Sequence, residues 1–279
     1  MPRMVIRGRG RRGLPVRTYG RGRGALAAYG ALAAVDLLGT ARAPRGPLRA
    51  AKPFLMPALA VYASRYSTSA SGRWTPAPTL PDTAQGRARD GDRPLVPAPL
   101  AAGLAFATVG DTALLFDDRE PAFLLGMAAF LGTQLSYTAG LAQLHGSGIP
   151  GSSGSSGSSE EARGSRRRAR RAGVGCLAAW AAVNAALAPA LERRLRLPVA
   201  GYSLALAAMG ATALAVGGTV AVGAGAFLAS DLLIGAQAAG HEFPSQEVLI
   251  MAGYLLGQYL LVTGWLERTA GAGDGNGTA

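Results

Sequence analysis

Eight apolar runs, at residues 25–41, 52–64, 97–116, 121–144, 173–191, 197–218, 220–240 and 247–266, are separated by breaks rich in arginine, proline and glycine. Most of them approach the ~20 residues that cross about 30 Å of hydrocarbon at 1.5 Å per residue. The second run, KPFLMPALAVYAS, is short and carries Pro53 and Pro57, so a spanning helix and a re-entrant segment both fit it. Gly217, Gly218 and Thr219 alone divide the sixth run from the seventh, which is the helix-breaking signal of a tight hairpin. The pattern predicts an all-α fold: a polytopic integral membrane helical bundle with about eight transmembrane helices.

The breaks set the organisation. A basic cytoplasmic arm is expected at 1–24 and a first four-helix membrane half at 25–144. A flexible Gly/Ser- and Arg-rich linker follows at 145–172, then a second four-helix half at 173–266 and a disordered tail at 267–279. Only 16% of the residues are charged, against roughly 25% in soluble domains. The chain carries a net charge of +12, and that charge lies outside the apolar runs. Its 27 arginines and single lysine, Lys52, carry the bias of GC-rich coding sequence and predict a bacterial cell membrane. With eight spans, 20 basic residues fall on the side of the termini and 8 on the other, so both termini are predicted cytoplasmic.

The arginine arm is therefore read as a topological anchor that also touches anionic headgroups. Nucleic-acid binding and a twin-arginine export signal at Arg11-Arg12 are the sharper alternatives. No aromatic residues interleave with the arginines as a nucleic-acid surface requires, and no nucleic-acid partner is expected. Cys176 is the only cysteine, and the two histidines, His145 and His241, fall in breaks. No metal and no cofactor is expected from such a set.

Ionisable groups inside hydrocarbon are expensive, which makes them functional candidates. Asp36, Asp111 and Asp231 lie within runs. Asp36 is near the end of its run and is read as a structural residue reaching the headgroups. Asp111 and Asp231 occupy the third helix of each half, about 8 and 14 Å from the non-cytoplasmic boundary, and are expected to share a depth and one site. Gln134 and Tyr137 stand three apart on the fourth helix, and Tyr254 and Gln258 four apart on the eighth, each pair on one face. A Tyr/Gln pair beside an aspartate in each half suggests a polar site within the bundle; interhelical hydrogen bonding without chemistry is the plainer alternative. Lys52 opens the second helix on the same side as the aspartates, where it meets a lipid phosphate, an aspartate, or the interface by snorkelling. Tyr259 and Trp265 are read as packing residues.

These residues, in this order, resemble the YhhN-like lysoplasmalogenase family of membrane proteins. The resemblance is carried by KPFLMPALAVY, GLAFATVGDTALLF, FLLGMAAFLGTQLSYTAGL, LPVAGYSLALAAMG, GAFLASDLLIGAQAAGHEF and the Tyr254/Gln258 helix, and covers residues 25–266. Family members often have a histidine where Gln134 stands. The resemblance implies hydrolysis of the vinyl-ether bond of a lysoplasmalogen, a lysophospholipid substrate drawn from the lipid bilayer. Asp111 and Asp231 would then be catalytic, and Lys52, Gln134, Tyr137, Tyr254 and Gln258 would contact substrate or water. The residues suit that chemistry: two carboxylates around an oxocarbenium-like transition state follow the logic of glycosidases. A lipid-handling protein or proton-coupled transporter using the same aspartates is the alternative from another class.

The charge asymmetry makes a direct prediction. Cysteine-accessibility labelling at positions 155 and 119 should report opposite sides of the membrane, and labelling of both from one side would overturn the topology.

Overall fold

Each of the eight apolar runs is part of a helix. The computed structural model describes residues 22–42, 47–71, 96–116, 118–147 and 157–274. Helix α1 spans Arg23–Arg42, and a short 3₁₀ turn, Pro47–Ala51, leads into α2 at Lys52–Ser71. Helix α3, Ala98–Ala113, is prolonged by a 3₁₀ turn to Phe116, and α4 covers Glu120–Ser147. The second half holds α5 (Gly157–Leu187), α6 (Arg193–Val216), α7 (Gly218–Ala238) and α8 (Gln246–Asp274). The described residues contain no strand. Among them, six helices are long and apolar enough to cross a membrane: α1, α3, α4, α6, α7 and α8. The second helix ends in the polar stretch RYSTSAS and α5 begins in a basic one, which keeps both out of that set.

Local chemistry sets the boundaries. Pro97 precedes α3 and Pro99 stands in its first turn, where a missing N–H leaves no bond unmade. The α6–α7 hairpin turns at Gly217 and Gly218, whose φ values of 77° and 63° lie in the left-handed region that a side chain disfavours. Two expectations are corrected. The linker is helical from Gly157 onward, because its arginines and alanines favour helix as well as water. The tail likewise continues α8 as far as Asp274. The arm at 1–21, the loop at 72–95, the Gly/Ser tract at 148–156 and the end at 275–279 lie outside the described residues.

Packing mixes the two halves. Helix α4 packs on both α3 and α6, and α8 packs on α7 and also on α1, α2 and α4. The Tyr29 hydroxyl donates to the Leu255 carbonyl at 2.7 Å and so ties α1 to α8. The polarity is reversed relative to a water-soluble core. Leu38, Phe54, Phe106, Val222 and Leu256 face outward, while Asp36, Asp111, Gln134 and Gln258 are buried. A lipid solvent favours that inversion, since interior polar groups then find partners that hydrocarbon does not offer.

The tightest contact is between α7 and α8. A Cβ on Gly223 would lie 2.7 Å from the Leu261 nitrogen, one on Gly257 2.9 Å from the Phe227 nitrogen, and one on Gly264 2.7 Å from the Val220 nitrogen. Gly253 and Gly257 form the small-xxx-small spacing that lets membrane helices approach backbone to backbone. Gly223→Ala should therefore destabilise the protein by roughly 1–3 kcal/mol through overpacking. Gly225→Ala, where a Cβ meets nothing within 4 Å, should leave the detergent melting temperature unchanged. Equal melting temperatures for both variants would sink the close-packed seam.

Candidate functional site

The polar interior is built around Asp111. Its carboxylate, on α3, is buried, and its Oδ2 accepts a hydrogen bond of 2.8 Å from the Tyr254 hydroxyl on α8. Two aromatic edges fix that tyrosine, with ring centroids of Phe130 and Phe227 at 5.8 and 5.6 Å. Gly110, just before the aspartate, has no side chain because Phe130 fills the space, its ring 2.7 Å from where a Cβ would be. The glycine thus allows the aromatic clamp that aims Tyr254 at Asp111. Among the described residues, Lys52 and Asp36 are charged groups that act on Asp111.

A second polar contact lies nearby. The Tyr137 hydroxyl on α4 donates to Gln258 Oε1 on α8 at 2.8 Å, and both side chains are fully buried. Gly103 makes room for the Tyr137 ring, which also meets Trp265 edge-on at 6.0 Å. Trp265 is buried, in keeping with a packing residue.

Asp231, on α7, is half-buried and accepts a 2.6 Å hydrogen bond from Tyr202 on α6. Its neighbour Ser230 donates to the Ile250 carbonyl at 2.7 Å, locking α7 to the start of α8. The Gln134 carboxamide stands beside the Tyr202 hydroxyl, yet neither its Nε2 nor its Oε1 has a hydrogen-bond partner among the described residues. Gln258 Nε2, Thr138 Oγ1 and both Asp36 oxygens are likewise buried without a partner. A buried polar atom left unpaired costs about 1–3 kcal/mol, which makes each of these atoms a candidate to meet a polar ligand.

Asp111 and Asp231 therefore do not bond each other: each takes its own tyrosine. Three separate hydrogen bonds make up the polar interior, Tyr202 to Asp231, Tyr137 to Gln258 and Tyr254 to Asp111, with Gln134 beside the first of them. The partners also cross between halves, since Tyr254 of the second half serves the aspartate of the first. One participant, Tyr202, is not singled out by the sequence pattern, and another, Asp36, is placed differently. Tyr202 lay inside an apolar run, and its hydroxyl was the available signal. Asp36 was read as reaching the headgroups, but it is 0% exposed. It faces Lys52 and Arg49 instead of solvent. The Arg49 guanidinium donates to the Leu114 carbonyl at 3.2 Å and thereby fixes the turn before α2 against the end of α3.

One turn beyond Asp36, the Thr40 hydroxyl donates to the Asp36 carbonyl at 2.9 Å. Thr40 and Ala41 line an open cleft of about 310 Å³, walled on its other side by Gln237, Glu242, Gln246 and Glu247 from the end of α7, its connection to α8 and the start of α8. Gln246 shapes that connection: its Oε1 accepts from the Phe243 N–H and its Nε2 donates to the Leu233 carbonyl.

The Tyr137–Gln258 bond carries a testable coupling. A double-mutant cycle of Tyr137→Phe and Gln258→Ala should give an interaction energy of about 0.5–1.5 kcal/mol in detergent unfolding. Strict additivity would mean the bond is not formed.

The family model described as the YhhN family matches residues 93–265. No curated protein and no solved structure matches the chain. The match spans more than half of the sequence, and the chain belongs to the YhhN family.

Proposed function

From membership of the YhhN family and the polar interior of the bundle, we propose that the protein is a membrane hydrolase of the lysoplasmalogenase type. Its substrate is a lysophospholipid with an alkenyl ether chain, taken from the bilayer of a bacterial cell membrane, and both termini face the cytoplasm. The observation that carries the reading is the pair of aspartates, each held by a tyrosine hydroxyl, with a buried Tyr137–Gln258 pair in the same bundle.

The chemistry needs few parts. A carboxyl group gives a proton to the distal carbon of the vinyl ether, leaving an oxocarbenium ion at the carbon bonded to oxygen. A carboxylate faces that cation and draws the proton from an incoming water as the water oxygen bonds to the cationic carbon. The hemiacetal then collapses: its hydroxyl proton leaves, the carbon–oxygen bond to glycerol breaks, and the glycerol oxygen takes up a proton. The products are a fatty aldehyde and a glycerophospho-choline or -ethanolamine. Asp111 and Asp231 are the groups assigned to proton donation and water activation, as two carboxylates serve in glycosidases. Tyr254 and Tyr202 orient them, and Gln134 and Gln258 supply free donors and acceptors for water or the headgroup. Lys52 supplies positive charge beside Asp111 for a phosphate. The apolar chain rests among the outward side chains of the bundle.

Purified protein given an alkenyl lysophospholipid should release fatty aldehyde. General acid–base catalysis contributes about 10²–10⁴-fold, so Asp111→Asn and Asp231→Asn should each lower turnover at least a hundredfold. The double variant should be scarcely slower than the poorer single one, because groups serving one reaction are non-additive. Well-folded Asn variants that release aldehyde at the unmodified rate would remove the carboxylates from the mechanism. Absence of aldehyde from the unmodified protein, with transport of the same lipid, would favour the transporter class.

A further inference from the structure

We propose that Asp36 reads a free hydroxyl on the glycerol backbone of the bound lipid, in a subsite it forms with Lys52 and Arg49. This inference rests on the lysolipid reading and extends it to the group that tells a lysolipid from its diacyl counterpart.

Asp36 is the least explained polar residue in the bundle. It is 0% exposed, and neither carboxylate oxygen has a hydrogen-bond partner. A carboxylate is an acceptor with about four lone-pair positions, and although two cations stand near Asp36, none of those positions is filled by a hydrogen bond. The sequence places it in a helix of alanine, leucine and valine, where a leucine would pack without unfilled acceptors. A ligand that donates a hydrogen bond fills one of them.

The neighbourhood narrows the ligand. Lys52 and Arg49 bring two positive charges to Asp36, and Lys52 is shared with Asp111. The subsite therefore presents an acceptor for a hydroxyl beside cations for an anion, within electrostatic reach of the carboxylate assigned to the ether. The cleft lined by Thr40 begins one helical turn away, about 6 Å along α1. Its Glu242 and Glu247 carboxylates suit an amine-bearing headgroup.

A glycerophospholipid with one chain matches that order. From the ether carbon, the next backbone carbon carries a hydroxyl, the third carries the phosphate, and the amine lies beyond. In a diacyl lipid the hydroxyl is an ester, which has no hydrogen to donate and leaves Asp36 unpaired. A site built to bond a substrate hydroxyl rejects the analogue lacking it by up to roughly 10⁴–10⁵-fold, because its own polar group is then stranded. Even a fraction of that discrimination keeps the abundant diacyl lipids of the bilayer out of the site.

The test uses the full-length protein in nanodiscs and two saturated ether probes that hydrolysis does not consume. One is 1-O-alkyl-2-hydroxy-glycerophosphoethanolamine and the other its 2-deoxy counterpart. The unmodified protein should bind the hydroxy probe at least about tenfold more tightly, a lower bound on the discrimination such a site achieves. Asp36→Leu should bring the two affinities together, the ratio between the probes falling to about one. Equal affinities in the unmodified protein overturn the proposal whether or not the variant folds, and so does discrimination retained in a well-folded Asp36→Leu protein. Discrimination without aldehyde release from the alkenyl lipid would uphold the subsite and reject the hydrolysis reading, so the two fail separately.

Discussion

The backbone contact between α7 and α8 governs the geometry of the interior. Gly223, Gly257 and Gly264 leave no room for a methyl group, so the two helices meet main chain to main chain. Close approach brings α8 deep enough to touch α1, α2 and α4 as well. Only from that position does Tyr254 reach Asp111 and Gln258 reach Tyr137. Between helices in lipid there is little hydrophobic driving force, because lipid tails are as apolar as leucine. Dispersion at the glycine seam and the few interhelical hydrogen bonds must then hold the assembly. In this protein the same contacts that secure the fold also orient the polar groups.

The helices were legible in the sequence because a lipid solvent imposes a simple rule. Each run had to be apolar for its length and had to end where arginine, proline or paired glycine made continuation costly. The predicted break at Gly217-Gly218 coincides with the end of α6 and the start of α7. The basic stretch before Cys176 failed the same test for a physical reason. Polarity reports solvent, not backbone conformation, and an arginine-rich segment is as content in a helix as in a loop. Helix α5 thus begins some sixteen residues before its apolar part.

The site was legible by residue and illegible by partnership. Spacing of three or four identified Gln134 with Tyr137 and Tyr254 with Gln258 as pairs on one face, since that follows from 3.6 residues per turn. It contains no information on which helix that face meets. The expected arrangement kept each Tyr/Gln pair beside the aspartate of its own half, whereas Tyr254 bonds Asp111 across the halves. Tyr202 takes the position at Asp231. Asp36 shows the same limit from the other direction. Its nearness to the end of a run suggested the headgroups, but the 3₁₀ turn before α2 packs against α1 and the carboxylate is buried.

The aspartates have unlike surroundings, and this bears on how one bundle can hold three of them. Charges packed together in a low dielectric repel strongly, so a buried carboxylate needs a cation or a donor close by. Asp36 and Asp111 have Lys52 in common and Arg49 beside the first, which sets two positive groups against two negative ones. Among the described residues no cation acts on Asp231, which accepts from the Tyr202 hydroxyl, a neutral donor. The first pair therefore occupies an environment suited to a dipolar or anionic headgroup, whose phosphate and hydroxyl can exchange places with the internal ion contacts. The second offers a single half-buried carboxyl held by one phenol. A lipid with its polar end among α1, α2 and α3 and its chain toward α6 and α7 would meet both environments at once. The Tyr137–Gln258 pair joins α4 to α8 in the same bundle.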